Sequence, residues 1–397
     1  MKKILLLGGS AQQIVAIETA KKLGYYTVLC DYLPDNPGQY VADKFFLVST
    51  TDKNAVLEVA QKENVDGVVA YASDPAAPTA AYVAEKQHLP TNPYVSVETL
   101  CNKDLFREFL RYNGFCAPRS EGYSSEIAAK EGVKRFRYPV VVKPVDSSGS
   151  KGVTVLDSEE TLDEAISFAF SSSRSRRIII EEYIQKKHPY LIGGDIFIQN
   201  GEVILWGLLN CHRDRNVNPL VPVGKSYPPE LEEQDLQNVK ITLQQIVSKL
   251  GIQFGAMNVE LIIDADGNIW PVDIGPRNGG NMIPDLLGMI FGVDIVEMTI
   301  LAAMGEQKNY NIGEGAKYYA THNLHSDRNG FFHSIVIKPE LRGKIVRICE
   351  YKKPGDQVEY FDNAAKALGV VFLQFVDKAD MKMHLDSITD EIKIVLQ

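Results

Sequence analysis

The 397-residue chain is 45% hydrophobic and 23% charged, an ordinary globular make-up with apolar material for two or three cores. Its 42 basic and 51 acidic side chains leave a formal charge of −9, which argues against a general nucleic-acid or membrane-surface role. Five scattered cysteines (Cys30, Cys101, Cys116, Cys211, Cys349) without a CxxC pair give neither a disulfide framework nor a zinc site, and no apolar run is long enough to span a bilayer, so a cytoplasmic protein is expected.

Residues 1–100 alternate strand and helix. KILLLGG reads as a buried strand and turn, Gln12 to Leu23 as a helix, YYTVLCD as a second strand, and VDGVVAYASD as a later strand before an alanine-rich helix from Pro75 to Gln87. Such alternation implies a parallel sheet with helices on both faces and a ligand crevice beyond the carboxyl ends of its strands. The loops there are Gly8-Gly9-Ser10, Asp31 and Ser73-Asp74. GGSAQQ lacks the later glycines of GxGxxG, so a nicotinamide-binding fold is poorly supported, and the loops are open to a small substrate instead.

Next, CNKDLFREFLRY predicts a helix with Asn102 as its cap and with Lys103 and Arg107 on one face. YPVVVKPVDSSGSKGV follows. Pro139 to Lys143 reads as a buried strand ending in a lysine, Pro144 as its stop, and Asp146 to Gly152 as a loop of small residues whose N–H groups can face an anion. A lysine on a rigid strand beside such a loop suits a polyphosphate, although the string is not a GxxxxGK[ST] loop. SSSRSRR (Ser171 to Arg177) reads as an exposed linker. RRIIIEEYI is a strand that could offer its backbone to an adenine edge while Ile184 packs on the ring face; an edge strand with solvated glutamates fits equally well. A hairpin is expected at Asn200-Gly201, then a long binding loop or lid over HRDRNVNPLVPVGKSYPPEL, then a helix from Gln234 to Leu250 stopped by Gly251.

The acidic hairpin NVELIIDADGNIWPVDI is the most informative segment. Counting outward from an Asp266-Gly267 turn, Leu261 falls opposite Val272, Ile263 opposite Trp270, Ile262 opposite Pro271 and Glu260 opposite Asp273. Two carboxylates directly opposed repel unless something stands between them, and a shared divalent cation is the expected remedy. Arg277, just past the strand, could clamp a phosphoryl or carboxylate group, and Asn278 to Asn281 reads as a loop with exposed N–H groups. Asp285 to Gly305 reads as helices. His322, His325 and His333 match no metal-binding spacing.

Taken in order, Lys103, Lys143 with DSSGSKG, EEYI, the Glu260/Asp273 pair and GPRNGG resemble the ATP-grasp superfamily, over nearly the whole chain and in its biotin-carboxylase-like branch. The resemblance implies an α/β fold: a parallel-sheet domain over 1–100, a two-lobed α+β ATP-grasp core over 101–315 with a lid subdomain at about 116–184, and a small C-terminal domain over 316–397. It implies that Lys103 and Lys143 contact ATP phosphates and that Ser147, Ser148, Gly149, Ser150, Lys151 and Gly152 cover them. Glu181, Glu182 and Ile184 would line the adenine hinge, with Asp195 near the ribose. Glu260 and Asp273 would hold one or two Mg2+ ions, with Mn2+ as a substitute, and Arg277 would steady the transferred group. The family's ExN motif is here Asp273-Ile274-Gly275, so its asparagine ligand is missing: either Asn278 or Asn281 replaces it, or one metal is held by fewer protein groups. The implied activity is an ATP-dependent ligase that turns a small-molecule carboxylate into an acyl phosphate and joins it to an amine; the oligomeric state is open, with a homodimer as the default expectation. A purine-pathway or bicarbonate-activating enzyme of the same fold is an alternative, and a non-catalytic nucleotide-binding module is another.

Overall fold

The computed structural model describes residues 1–397. Strands β1 (Lys3–Leu7), β2 (Tyr26–Asp31), β3 (Lys44–Leu47) and β4 (Gly67–Val69) form a parallel sheet in the order β3-β2-β1-β4. Helix α1 (Ile14–Lys22) connects β1 to β2 and α2 (Lys53–Glu63) connects β3 to β4, a 3-10 turn over Pro37–Tyr40 links β2 to β3, and α3 (Ala77–Lys86) follows β4. The strand order reverses between β1 and β4, so the crevice opens at the loops after these two strands, and Asp74 lies on the second of them.

Two helices lead out of this sheet, α4 (Tyr94–Cys101) and α5 (Lys103–Tyr112). Asn102 caps α5, its side chain accepting from the N–H groups of Asp104 and Leu105 at 3.1 and 3.4 Å. A second sheet follows, built from β5 (Ser120–Tyr123), β6 (Val140–Pro144), β7 (Thr154–Leu156) and β8 (Ile178–Glu182) in the order β5-β8-β6-β7, all antiparallel. Helices α6 (Glu126–Val133) and α7 (Leu162–Ser172) cover one face, where Val140, Val142, Ile178 and Ile180 meet Ala129 and Ile166. Contrary to the sequence reading, Pro144 is the last residue of β6 rather than its stop: at the strand end its missing N–H breaks no ladder bond.

The third sheet is the largest. Strands β9 (Leu191–Gln199), β10 (Glu202–Asp214) and β11 (Asn218–Tyr227) are followed by α8 (Glu233–Leu250), then by β12 (Phe254–Ile263) and β13 (Ile269–Gly275). Helices α9 (Ile283–Phe291) and α10 (Ile295–Ala303) come next, and β14 (Tyr319–Leu324), β15 (Gly330–Ile337), β16 (Ile345–Glu350), β17 (Gln357–Val358), β18 (Gly369–Gln374) and β19 (Ile392–Leu396) complete the chain. Eight strands join in the order β13-β12-β9-β10-β11-β14-β18-β16, so residues after 316 extend the central sheet as well as adding a small one, β17-β15-β19. Val296 and Ile300 of α10 pack against Ile4, Leu6 and Ile17, seating the first sheet on the core. No single helix is long and apolar enough to cross a membrane.

One stretch departs plainly from expectation. The segment read as a long loop or lid, His212 to Leu231, is mostly paired strand: β10 and β11 form a hairpin around residues 215–217. Pro219 and Pro222 hid it, because proline weakens any strand pattern, yet Val221 and Val223 between and beyond them are buried and Pro222 sits at a register shift opposite Arg213. The Asn200-Gly201 hairpin is present, with left-handed φ of 54° and 79° at its two central residues, and α8 ends at Gly251 with φ of 65°.

Candidate active site

Lys143 reaches the end of β6 buried, 6% exposed, and its Nζ lies 2.5 Å from Glu181 Oε2 on the adjacent β8. Arg107, 1% exposed on α5, donates from Nε to Glu181 Oε1 at 2.7 Å and from Nη2 to the Val272 carbonyl at 2.7 Å. Two cations thus share one buried carboxylate. Burial alone would raise the Glu181 carboxyl, but Arg107 and then Lys143 override it and bring it down to about 2. Burial also lowers Lys143, and the neighbouring Arg107 and Lys103 add to this against the pull of Glu181. The group carries a net positive charge, which an anionic partner would relieve.

The Glu181 side chain is therefore committed to Lys143 and Arg107, and its backbone is paired between Val141 of β6 and Ser120 of β5, so neither is free to line an adenine hinge. Glu182 and Ile184 stand half-exposed where β8 ends. Arg107 was visible in sequence only as the residue one turn from Lys103, a spacing that more often marks a solvated face.

After β6 the chain forms the small-residue loop, with φ of 64°, 63° and 77° at Gly149, Ser150 and Gly152. Lys103 Nζ donates to the Ser147 carbonyl at 2.8 Å, and Ser147 Oγ donates to Lys151 O at 2.8 Å. The Lys151 N–H in turn faces Ser148 O at 3.4 Å. The outer side of the loop rests on other elements: Ser150 Oγ donates to Leu220 O at 2.9 Å, and the Ala364 N–H to Gly149 O at 3.4 Å. At its base, Asp146 accepts from Ser173 Oγ at 3.0 Å and the Ser175 N–H at 2.7 Å. The stretch read as an exposed linker is thus the anchor of the loop.

On the facing hairpin Glu260 pairs with Asp273, so both carboxylates leave the same face of the sheet. The remaining pairings differ from expectation. Leu261 faces Pro271, Ile262 faces Trp270 and Ile263 faces Ile269, with Val272 the extra residue of a bulge. The repulsion between the acids is offset by cations: Arg213 Nη2 lies 3.4 Å and Lys225 Nζ 3.7 Å from Glu260 Oε1, and Lys103 Nζ lies 3.8 Å from Asp273 Oδ2. Burial would raise Glu260, but Arg213 and Lys225 hold it below its usual value. Sequence reasoning missed both cations because it had placed them in a loop.

Two accessible carboxylates on one face suit magnesium, which takes one or two protein carboxylates and completes its shell with phosphate oxygens and water. No cluster of three or more His, Cys, Asp or Glu side chains forms a fuller cage. Asn278 is fully buried, with its Nδ2 donating to Thr299 Oγ1 at 3.0 Å and its Oδ1 without a hydrogen-bond partner. Asn281 spends its N–H on Gln12 Oε1 of the first domain, at 3.0 Å. The Gly279 N–H is likewise engaged, donating to both oxygens of Asp195 at 2.9 and 2.8 Å.

Asp195 also accepts from Asn258 Nδ2 at 2.9 Å and is 1% exposed, so it braces the 278–281 loop and is not available to a ribose hydroxyl. Burial raises its carboxyl to about 6, against the pull of these donors. In the first domain Asp31 is similarly consumed, accepting from the Gly9 N–H at 2.7 Å and the Leu33 N–H at 2.9 Å. Arg277 is held by Asp74, with Nε 2.7 Å from Oδ1 and Nη2 against Oδ2. His325 bonds Asp214 at 3.2 Å and the Asn323 carbonyl at 2.7 Å, His322 is buried, and His333 lies 3.1 Å from Gln397 Nε2.

A cleft of about 440 Å3 is lined by Lys103, Ser147 and Asp273 together with Asp74, Pro75 and Thr79, while Lys143, Glu181, Glu260 and Arg277 lie outside its lining. Residues 136–285, which include the strand, loop, hinge and hairpin, match the family "ATP-grasp domain". This chain carries an ATP-grasp domain. The match leaves out Lys103 and Arg107, which reach the site from α5, and the domains at either end.

Among curated proteins, a carbamoyl phosphate synthase large chain from Clostridium botulinum is 24% identical over 311 residues, which is 76% of this chain but 28% of the relative. The chain thus spans little more than a quarter of the length of that relative. A formate-dependent phosphoribosylglycinamide formyltransferase from Parasynechococcus marenigrum is 27% identical over 283 residues, 70% of each chain. Among solved structures, an L-amino acid ligase from Bacillus licheniformis superposes with a TM-score of 0.82 at 20% identity, covering 100% of this chain and 99% of that one. Phosphoribosylglycinamide synthetase from Anaerococcus prevotii gives 0.76 at 20% identity and 100% of both. At such identities the structural likeness establishes the fold, flanking domains included.

Proposed function

We propose that the protein is an ATP-dependent ligase that activates a small-molecule carboxylate as an acyl phosphate and joins it to an amine, releasing ADP and phosphate. The observation that carries this reading is the place of Lys103. Its ammonium lies 2.8 Å from the Ser147 carbonyl and 3.8 Å from Asp273, so the phosphate-type loop and the acidic hairpin are one side chain apart.

In this reading the triphosphate lies between loop and hairpin, with Lys103 and Lys143 on its phosphates and the N–H groups of Ser147 to Gly152 folded over them. Magnesium, as one ion or two and replaceable by manganese, would be held by Glu260 and Asp273 and would neutralise phosphoryl oxygens. The chain leaving β8, from Glu182 on, would face adenine, with Ile184 against the ring.

A substrate carboxylate oxygen attacks the γ-phosphorus in line, the bond to the bridging oxygen breaks, and ADP leaves. Arg277 steadies the group in transit. The amine nitrogen then bonds the acyl carbon, and phosphate departs as the amide forms. Such a transfer asks the protein mainly for alignment and charge neutralisation, which two lysines, loop amides and an arginine can supply. Names of relatives support the chemical class: an L-amino acid ligase and a phosphoribosylglycinamide synthetase share the three-domain fold. Amino acids are therefore the first acids and amines to try, with bicarbonate, formate and glycinamide-type amines beside them. A homodimer is the proposed assembly.

The test is a coupled assay for ADP and phosphate with MgATP and a matrix of small acids against amines. Release that needs one acid and one amine together supports the ligase. Tight MgATP binding with no release across the whole matrix favours the nucleotide-binding module.

A further inference from the structure

We propose that Asp74, contributed by the first domain, is a positioning residue for Arg277, and that residue 275 is glycine because this cross-domain clamp lies over it. The inference deepens the ligase reading and rests on it for the role of Arg277. Asp74 and Arg277 form a bidentate pair, Nε to Oδ1 at 2.7 Å and Nη2 to Oδ2, with side chains only 19% and 12% exposed. Arg277 Nη1 also donates to the Asn278 carbonyl at 2.9 Å. Of the five guanidinium N–H groups, three are thereby committed, leaving one on each terminal nitrogen, the pair a planar carboxylate or phosphoryl group can engage.

Gly275 supplies the room. A Cβ built there would lie 2.4 Å from Asp74 Oδ1 and 3.1 Å from Arg277 Cζ, so any side chain at 275 displaces the clamp. Positive φ is not the reason for this glycine, since its backbone is in the paired β13 strand. The asparagine expected two residues after Asp273 and the Asp74–Arg277 pair thus compete for one volume, and this chain holds the pair. Asp74 can serve as a fixed post because its domain is seated on the core through Val296 and Ile300 and through the Gln12–Asn281 hydrogen bond.

The test uses Asp74→Asn, Asp74→Glu and Gly275→Ala in the full chain. Asp74→Asn keeps the shape but loses the second acceptor and the charge, and a misplacement of about 1 Å costs on the order of 100-fold in turnover. The expected pattern is a loss of kcat of that order with the MgATP dissociation constant changed less than about twofold, and partial recovery in Asp74→Glu. Gly275→Ala should give the same split with Asp74 intact, which covers the case that an Asp74 variant fails to fold. Independently of activity, labelling of Arg277 by a dicarbonyl reagent, followed by mass spectrometry, should be faster in Asp74→Asn than in the parent. Unchanged labelling and unchanged turnover in both Asp74→Asn and Gly275→Ala overturn the proposal. Faster labelling in a protein that turns over no acid–amine pair leaves the clamp standing and removes the ligase reading.

Discussion

Glu181 shows how a single residue can hold a site together without touching a ligand. It is the one carboxylate between two buried cations, and breaking such a group by removing one partner commonly costs about 3–5 kcal/mol because the charges left behind stay buried. Glu181→Gln should therefore lower stability by about that much at pH 7, read as a shift in the urea midpoint. Its pH dependence has a definite sign. The folded-state carboxyl sits at about 2, below its ordinary 4.5, so its contribution is complete above pH 4.5 and is lost as the pH falls toward 2. The parent should show this acid-side loss and Glu181→Gln should lack it; equal slopes in the two proteins would mean that Glu181 is not the group responsible.

At the scale of elements, the small-residue loop and the acidic hairpin decide the site. Gly152 has φ of 77°, and a Cβ there would lie 2.5 Å from Ser172 Cβ and 2.8 Å from Pro144 Cγ, whereas a Cβ at Gly149 would meet only Ala364 Cβ at 3.4 Å. Gly152→Ala should thus destabilise the protein by more than about 1 kcal/mol and slow turnover, while Gly149→Ala should cost the backbone term alone. Thermal melts and ADP release on the two variants test the ranking.

The same two elements show what could be read from sequence. VVVKP with its loop was legible because a valine run and a glycine-rich stretch are local signals. The Glu260–Asp273 pairing came out right through two offsetting shifts: the turn is centred half a residue earlier than Asp266-Gly267, and the Val272 bulge restores the difference. The partners expected for Leu261, Ile262 and Ile263 were consequently each one residue off. The end of β10 and the whole of β11, and Arg213 and Lys225 with them, were not legible because prolines interrupted the pattern and because the second partner of β11, β14, lies far along the chain. Asp195 misled for another reason, since sequence marks a polar residue near a site but not whether neighbouring backbone has already used it.

For the whole molecule, the residues after 316 are part of the central sheet. β14 pairs with β11 from Gly224 against His322 to Tyr227 against Tyr319, and β18 and β16 continue outward. Ending the chain at residue 315 would uncover a long central strand as an unprotected edge. Such a chain should aggregate or unfold without a cooperative transition; a soluble, cooperatively folding product would show that the last segment is an appendage. The first sheet is tied in by its contact with α10 and by the Asp74–Arg277 clamp, whose Asp74 lines the same cleft as Lys103 and Asp273.

The central claim is that a substrate carboxylate takes the γ-phosphoryl group, and isotope transfer tests it most directly. With the active acid labelled with 18O in its carboxylate and unlabelled water and ATP, the account predicts that the phosphate released during amide formation carries one 18O atom taken from the acid. Phosphate free of label, released at the full rate of amide formation, would contradict it.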